Sequence, residues 1–144
     1  MAKRDLYHNQ VKHALIKDGW TITHDPFALE IGDRRLEADI GAERLISAEK
    51  GVRKIVVEIK SFLGRSPVND LEQALGQYML YQRIIEHQRI DRELYLAVPT
   101  RTFETIFTVP LGQILLSPQL MRVIVFDDHR EEIVSWIPAE PIKL

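Results

Sequence analysis

The sequence predicts an α/β protein, with one central mixed sheet flanked by helices and completed by a C-terminal β-hairpin. Three observations carry this reading. Residues 5–18 and 69–88 have helical periodicity. The run K-I-V-V-E-I-K-S-F at 54–62 is apolar on both strand faces, as in the middle of a covered sheet. The element order is helix, three or four strands, long helix, strand, short helices, hairpin, which distributes helices around one sheet.

In the first helix, Tyr7, Val11, Ala14 and Leu15 recur at helical spacing; Asp5 can cap its start and Gly19 fits just past its end. W-T-I-T from Trp20 alternates as a short strand, H-D-P at 24–26 turns, F-A-L-E-I at 27–31 alternates again, and G-D-R at 32–34 turns the chain back. A strand is expected through Asp39 and Ile40, with extended chain on to Ala48 and a turn at Gly51 leading into the 54–62 strand. The long helix has two candidate caps: Asn69 with Glu72 as a capping box, or Ser66 with Pro67 in the first turn. Its apolar stripe is Leu71, Ala74, Leu75, Tyr78 and Tyr81 or Gln82, extended by Leu80 and Ile84. E-L-Y-L-A-V-P at 93–99 is a strand ended by proline. Short helices follow from Thr100 and Pro110, and M-R-V-I-V-F-D-D with E-E-I-V-S-W-I forms the closing hairpin.

A chain of 144 residues is read as one domain, and 45% hydrophobic with 28% charged residues excludes a disordered chain. There is no cysteine, hence no disulfide, thiolate metal site or cysteine nucleophile. The start is polar and no run approaches a membrane span, so a cytoplasmic setting is expected. A formal charge of -2 gives no global pull toward nucleic acid, so any such site must be a local patch. No P-loop, dinucleotide, nucleophile-elbow or zinc-protease motif occurs.

The chemistry concentrates on 54–62. Ile55, Val57 and Ile59 share one face; Val56, Glu58, Lys60 and Phe62 share the other. A carboxylate and an ammonium on a covered strand need partners, because desolvating a charge is costly. Either Glu58 and Lys60 neutralise each other as a structural pair, or a ligand sits there. If Asp39 lies on the neighbouring strand, Asp39, Glu58 and the Ile59 backbone carbonyl make a hard oxygen site suited to Mg²⁺ or Mn²⁺, with Lys60 placed to balance charge on a phosphate. Gln73 and Gln77 follow on one side of the long helix and could hold a water or a phosphate oxygen; bonding to the backbone is the other reading. Arg34, Arg35, Arg44, Arg53, Lys54 and Arg65 flank this set in sequence as candidate contacts to a phosphate backbone or as solvated hairpin ends. His8 and Lys12 could face the site from the first helix, although a surface histidine is the expectation. His13 and His24 have no partner at ligand spacing, and Asp127, Asp128 and His129 fit a turn.

Asp39, then Glu58-Ile59-Lys60, then Gln73 and Gln77 on a helix resemble the PD-(D/E)xK nuclease superfamily, with Ala38 where its variable proline stands. That resemblance implies a restriction-endonuclease-like αβββαβ core, an acidic pair that binds Mg²⁺, and a lysine that assists phosphodiester hydrolysis. Relatives often add a glutamate from the first helix; this one offers Asp5 and Asp18. Over nearly the whole chain, D-L-Y-H-N-Q-V-K-H-A-L-I-K-D-G-W-T-I-T-H-D-P, A-D-I-G-A-E-R-L-I-S-A-E-K-G, V-E-I-K-S-F, L-E-Q-A-L-G-Q-Y and L-Y-L-A-V-P resemble the XisH family, the fdxN element excision controlling factors. This implies control of site-specific excision of a DNA element, with DNA, an XisI-like protein and a separate site-specific recombinase as partners and a homo-oligomeric state. Two functions stay open on these grounds: a metal-dependent deoxyribonuclease, and a catalytically silent DNA-binding or regulatory factor on a nuclease scaffold. A purely structural trio is the third reading.

Overall fold

The computed structural model describes residues 5–117 and 119–139. Helix α1 (His8–Lys17) leads to β1 (Thr21–His24), then β2 (Phe27–Ile31), β3 (Arg34–Ala38), β4 (Ile40–Ser47) and β5 (Gly51–Ile59). Helix α2 (Pro67–His87) carries the chain to β6 (Glu93–Pro99). A short α3 (Thr100–Thr102) runs into a π-helical turn at Phe103–Phe107, α4 (Pro110–Gln113) follows, and β7 (Val123–Asp127) and β8 (Glu132–Ile137) form the hairpin. No helix among the described residues is long and apolar enough to cross a membrane.

Six strands make one mixed sheet in the order β1-β4-β5-β6-β7-β8. The β5/β6 and β6/β7 pairs are parallel, and the β1/β4, β4/β5 and β7/β8 pairs antiparallel. The strands β2 and β3 pair only with each other, from Phe27 opposite Ala38 to Ile31 opposite Arg34. This corrects the expected strand through Asp39 and Ile40. The chain bends at Asp39, so β3 ends at Ala38, β4 begins at Ile40, and five strands rather than three or four precede α2.

Both faces of the sheet are covered, as the composition of β5 requires. On one face Val56, Leu94, Leu96, Val123 and Val125 pack under α2, the β2–β3 hairpin and the segment around Phe107. On the other, Ile55, Val57, Ile59, Tyr95 and Phe126 pack against Val11 and Leu15 of α1. The hydroxyl of Ser66 accepts from the Asn69 N–H at 3.2 Å, with Pro67 in the first turn, so the second of the two candidate caps forms α2. The helix buries Leu71, Ala74, Tyr78, Tyr81, Ile84 and Ile85. Leu80 is 50% exposed and does not extend the stripe, because two residues from Tyr78 is about 200° around a helix.

Helix α1 is tied at both ends. Asp5 Oδ1 accepts from the Tyr7 N–H at 2.9 Å and Oδ2 from the Ser61 N–H at 3.1 Å, while the Arg101 guanidinium donates to the Tyr7 hydroxyl at 2.8 Å. At the far end Gly19 takes φ 94°, the left-handed conformation that ends the helix, and Lys17 Nζ donates to the Arg130 carbonyl at 2.7 Å.

The α2 crossover is pinned to the sheet by one hydroxyl. Tyr78 is 1% exposed; its O–H donates to the Leu94 carbonyl at 2.9 Å and accepts from the Arg122 N–H at 3.0 Å. Replacing it by phenylalanine keeps the ring but strands two interior backbone groups. Tyr78→Phe should therefore cost roughly 1–3 kcal/mol, read as a lower urea midpoint at unchanged m-value.

Candidate metal and phosphodiester site

The site grows from the end of β5. Strand β4 starts at Ile40, which sits opposite Val57, so the Ile59 N–H has run past its ladder partner. The side chain of Asp39 replaces it: Oδ2 accepts from the Ile59 N–H at 2.7 Å. The same bend that throws the β2–β3 hairpin off the sheet thereby sets a carboxylate beside Glu58. Glu58 is 4% exposed and shares the cleft lining with Asp39. Ile59 and Lys60 complete the edge.

Asp39, Glu58, Ile59, Lys60 and Gln77 line one cleft of about 400 Å³, together with Asp5, Arg35, Leu36, Glu37 and Tyr81. Gln77 Nε2 donates to the Tyr81 hydroxyl at 2.9 Å, and that hydroxyl donates to the Glu37 carbonyl at 3.1 Å. Gln73 is exposed and lines an adjoining cleft with Asp5, Lys60, Ser61 and Asp70. Asp5 and Lys60 belong to both clefts.

The basic residues divide. Arg35 lines the cleft, paired with Glu30 at 3.2 Å and Glu37 at 3.7 Å. Arg34, Lys54 and Arg65 are exposed away from the cleft lining. Arg44 lies over Trp20 and meets Asp18 at 3.4 Å, while Arg53 meets Glu93 at 3.0 Å and lies over Trp136. The strand period explains this. Arg53 shares its face with Ile55, Val57 and Ile59, and Arg44 pairs opposite it, so both point to the α1 side. Lys54 has the face of Glu58 but sits about 13 Å back along the strand.

Glu37 and Tyr81 are cleft residues that sequence reasoning did not place in the site, while Asp5 and His8 were named only as residues of the first helix that could reach it. Glu37 was legible: Arg35, Glu37 and Asp39 alternate on one side of the chain. The expected surface histidine is a correction. His8 is 4% exposed, with Nε2 at 2.7 Å from Asp25 Oδ1 and Nδ1 at 3.9 Å from Asp39 Oδ1. Asp25 also accepts from Lys12 Nζ at 3.0 Å. Burial alone would raise the Asp25 carboxyl, but Lys12 and His8 hold it below its ordinary value.

Four acids and two bases line the cleft. Burial first, then the hydrogen bond and charge of Asp39, push the Glu58 carboxyl up to about 10, and Lys60 draws it partly back. Two carboxyls held this close in a desolvated corner cannot both ionise without a counter-charge, which fits a divalent cation. Among the described residues no three His, Asp or Glu side chains form a ready-made cage. The oxygen donors a divalent cation could find here are the two carboxyls and the Ile59 carbonyl, the kind of incomplete set on which Mg²⁺ keeps several waters.

The family model described as XisH protein matches residues 1–134. A crystal structure of an XisH family protein from Nostoc punctiforme PCC 73102 is 38% identical at a TM-score of 0.80, covering 92% of this chain and 99% of that one. A fdxN element excision controlling factor from Anabaena variabilis is 39% identical at a TM-score of 0.81, covering 93% of this chain and 99% of that one. No curated protein matches.

The raised Glu58 carboxyl makes stability depend on pH. Between its ordinary 4.5 and about 10 the folded protein holds a proton that the unfolded chain has released. Stability therefore falls as pH rises across that window, by up to about 1.4 kcal/mol per unit. Glu58→Gln copies the protonated form. In chelator, thermal melts from pH 6 to 9 should show a shallower decline for Glu58→Gln than for wild type, and a higher Tm for the variant at pH 9.

Proposed function

This chain belongs to the XisH family, and on that premise we propose that it is an excision controlling factor that acts on DNA through a divalent-cation phosphodiesterase site of the PD-(D/E)xK type. One observation carries the reading: the carboxyls of Asp39 and Glu58 meet at the end of β5 with Ile59 and Lys60 on the same cleft. In this reading the αβββαβ core is restriction-endonuclease-like, and the β2–β3 hairpin is an addition between its first two strands.

Asp39, Glu58 and the Ile59 carbonyl would hold Mg²⁺ or Mn²⁺. The bound ion supplies Lewis-acid charge at a phosphate oxygen and lowers the cost of deprotonating water. Lys60 would hold the attacking water by hydrogen bond and offset negative charge growing on the phosphate, the water's proton passing to solvent. Gln77, with its amide N–H committed to Tyr81, keeps its carbonyl oxygen available to orient water. Gln73, one turn away in the adjoining cleft, serves the next phosphate along a strand. Arg35 sits at the lip as a backbone contact, and its distance from the other basic residues suits a site whose charge is completed by the cation. Strand exchange itself belongs to a separate recombinase, with an XisI-like protein as the companion of this factor.

The test is Mg²⁺-dependent cleavage of supercoiled, linear and single-stranded DNA, with calorimetry of Mg²⁺ and Mn²⁺ beside it. Lys60→Ala should lower the rate by a factor on the order of 10²–10⁴ while leaving the fold intact. Asp39→Ala should lose the calorimetric signal of the ion. Wild-type protein that binds the ion and leaves all three substrates uncut would assign the chain to the regulatory alternative. A large loss of stability in both Lys60→Ala and Glu58→Gln, with no ion bound by wild type, would make the trio structural.

A further inference from the structure

His8 is a buried polar side chain that the chemistry above leaves unused. One of its nitrogens is accounted for: Nε2 meets Asp25 Oδ1 at 2.7 Å, and Lys12, one turn on along α1, holds Asp25 Oδ2 at 3.0 Å. The other is not. Nδ1 is shut off from solvent and has no hydrogen-bond partner among the described residues. It faces Asp39 Oδ1 at 3.9 Å, too far for a direct hydrogen bond. At that separation the ring and the carboxylate still interact electrostatically, and the tie from Nε2 to Asp25 fixes where Nδ1 stands.

We propose that His8 is a positioning residue for Asp39: Nδ1 faces Oδ1 at 3.9 Å, while the Ile59 N–H holds Oδ2. With one oxygen bonded and the other set against the ring, the carboxylate is restrained and presents its remaining lone pairs to the cation. This rests on the cation site proposed above and adds a supporting chain, Lys12–Asp25–His8–Asp39, built from α1 and the loop after β1. Partners of this kind that orient a ligand typically cost 10–100-fold in metal affinity when removed.

Two substitutions separate this role from a structural one. Asparagine places an amide atom about where Nδ1 lies and leaves Nε2 empty. Glutamine reaches to the Nε2 position and leaves only methylene near Nδ1. Mn²⁺ calorimetry is run on wild type, His8→Asn, His8→Gln and Asp39→Ala, with melts in chelator to score folding. The expected result is near-wild-type affinity in His8→Asn and a loss of about 10–100-fold in His8→Gln. Rescue by glutamine instead, equal loss in both, or loss in neither overturns the role of His8 while leaving the cation site standing. Wild type that binds no Mn²⁺ overturns the site and the role together. A measurement on the unaltered chain covers poor folding of a variant: on Mg²⁺ titration the ¹⁵N signal of His8 Nδ1 should move and that of Nε2 hold, and an unmoved Nδ1 overturns the proposal.

Discussion

The hydrogen bond from the Ile59 N–H to Asp39 Oδ2 is the joint on which the architecture turns. An interior strand must satisfy its backbone to the last residue, because a buried unpaired N–H costs as much as a lost hydrogen bond. At Ile59 the ladder to β4 has run out. A main-chain partner there would have carried β3 straight into the six-stranded sheet. A side-chain partner lets the main chain bend away, sends β2 and β3 across the α2 face, and leaves a cleft under the hairpin. The requirement of one backbone donor thus accounts for a strand break, an off-sheet hairpin and the position of a carboxylate.

That joint brings a conflict with it. Placing Asp39 at the strand end puts its charge against Glu58 in a corner closed by Leu36 and Tyr81. A protein selected for stability alone would fill this corner with apolar groups, which pack there without desolvating charge. On the proposed function, the retained pair, with Lys60 beside it, is held at some expense of stability. The Tyr81 hydroxyl shows the same strain: burial first, and then the Glu58 charge, push it up to about 12, so it stays a neutral donor and acceptor at the cleft wall.

Much of this was legible from residue order, and the losses have definite causes. The two-faced apolar character of β5 exposed Glu58 and Lys60 as misfits, and Asp39 stood one strand earlier. The turn at 32–34 was legible, but the hairpin's departure from the sheet was not, because no turn residue between Arg34 and Ser47 marks the bend at Asp39 apart from a glycine two residues on. Gln73 and Gln77 share a helix side but are about 6 Å apart along it, enough to put them in neighbouring clefts. His8 stands on the α1 stripe, three residues before Val11 and seven before Leu15, so its burial was readable; what the helical pattern hid was its partner Asp25, a loop residue. The faces of Arg44 and Arg53, by contrast, followed from strand parity, a rule that proximity in sequence obscured.

The ties at the two ends of α1 set a constraint on synthesis. Lys17 is bonded to a carbonyl 113 residues later in the chain, and the apolar face of α1 is covered by strands made after it. At about 5–20 residues per second, a ribosome delivers that partner roughly 6–23 s after Lys17 is made. For that interval the Lys17 ammonium has no carbonyl to meet, whereas Asp25, the partner of the histidine at the start of α1, follows it by only 17 residues. Ile133 and Trp136 of β8 pack against the cluster that holds Val11 and Leu15, so that face of α1 is completed only when the closing hairpin forms. A ribosome paused late in this message would hold a sheet with its central strand built and one face open, which is the state a chaperone would see.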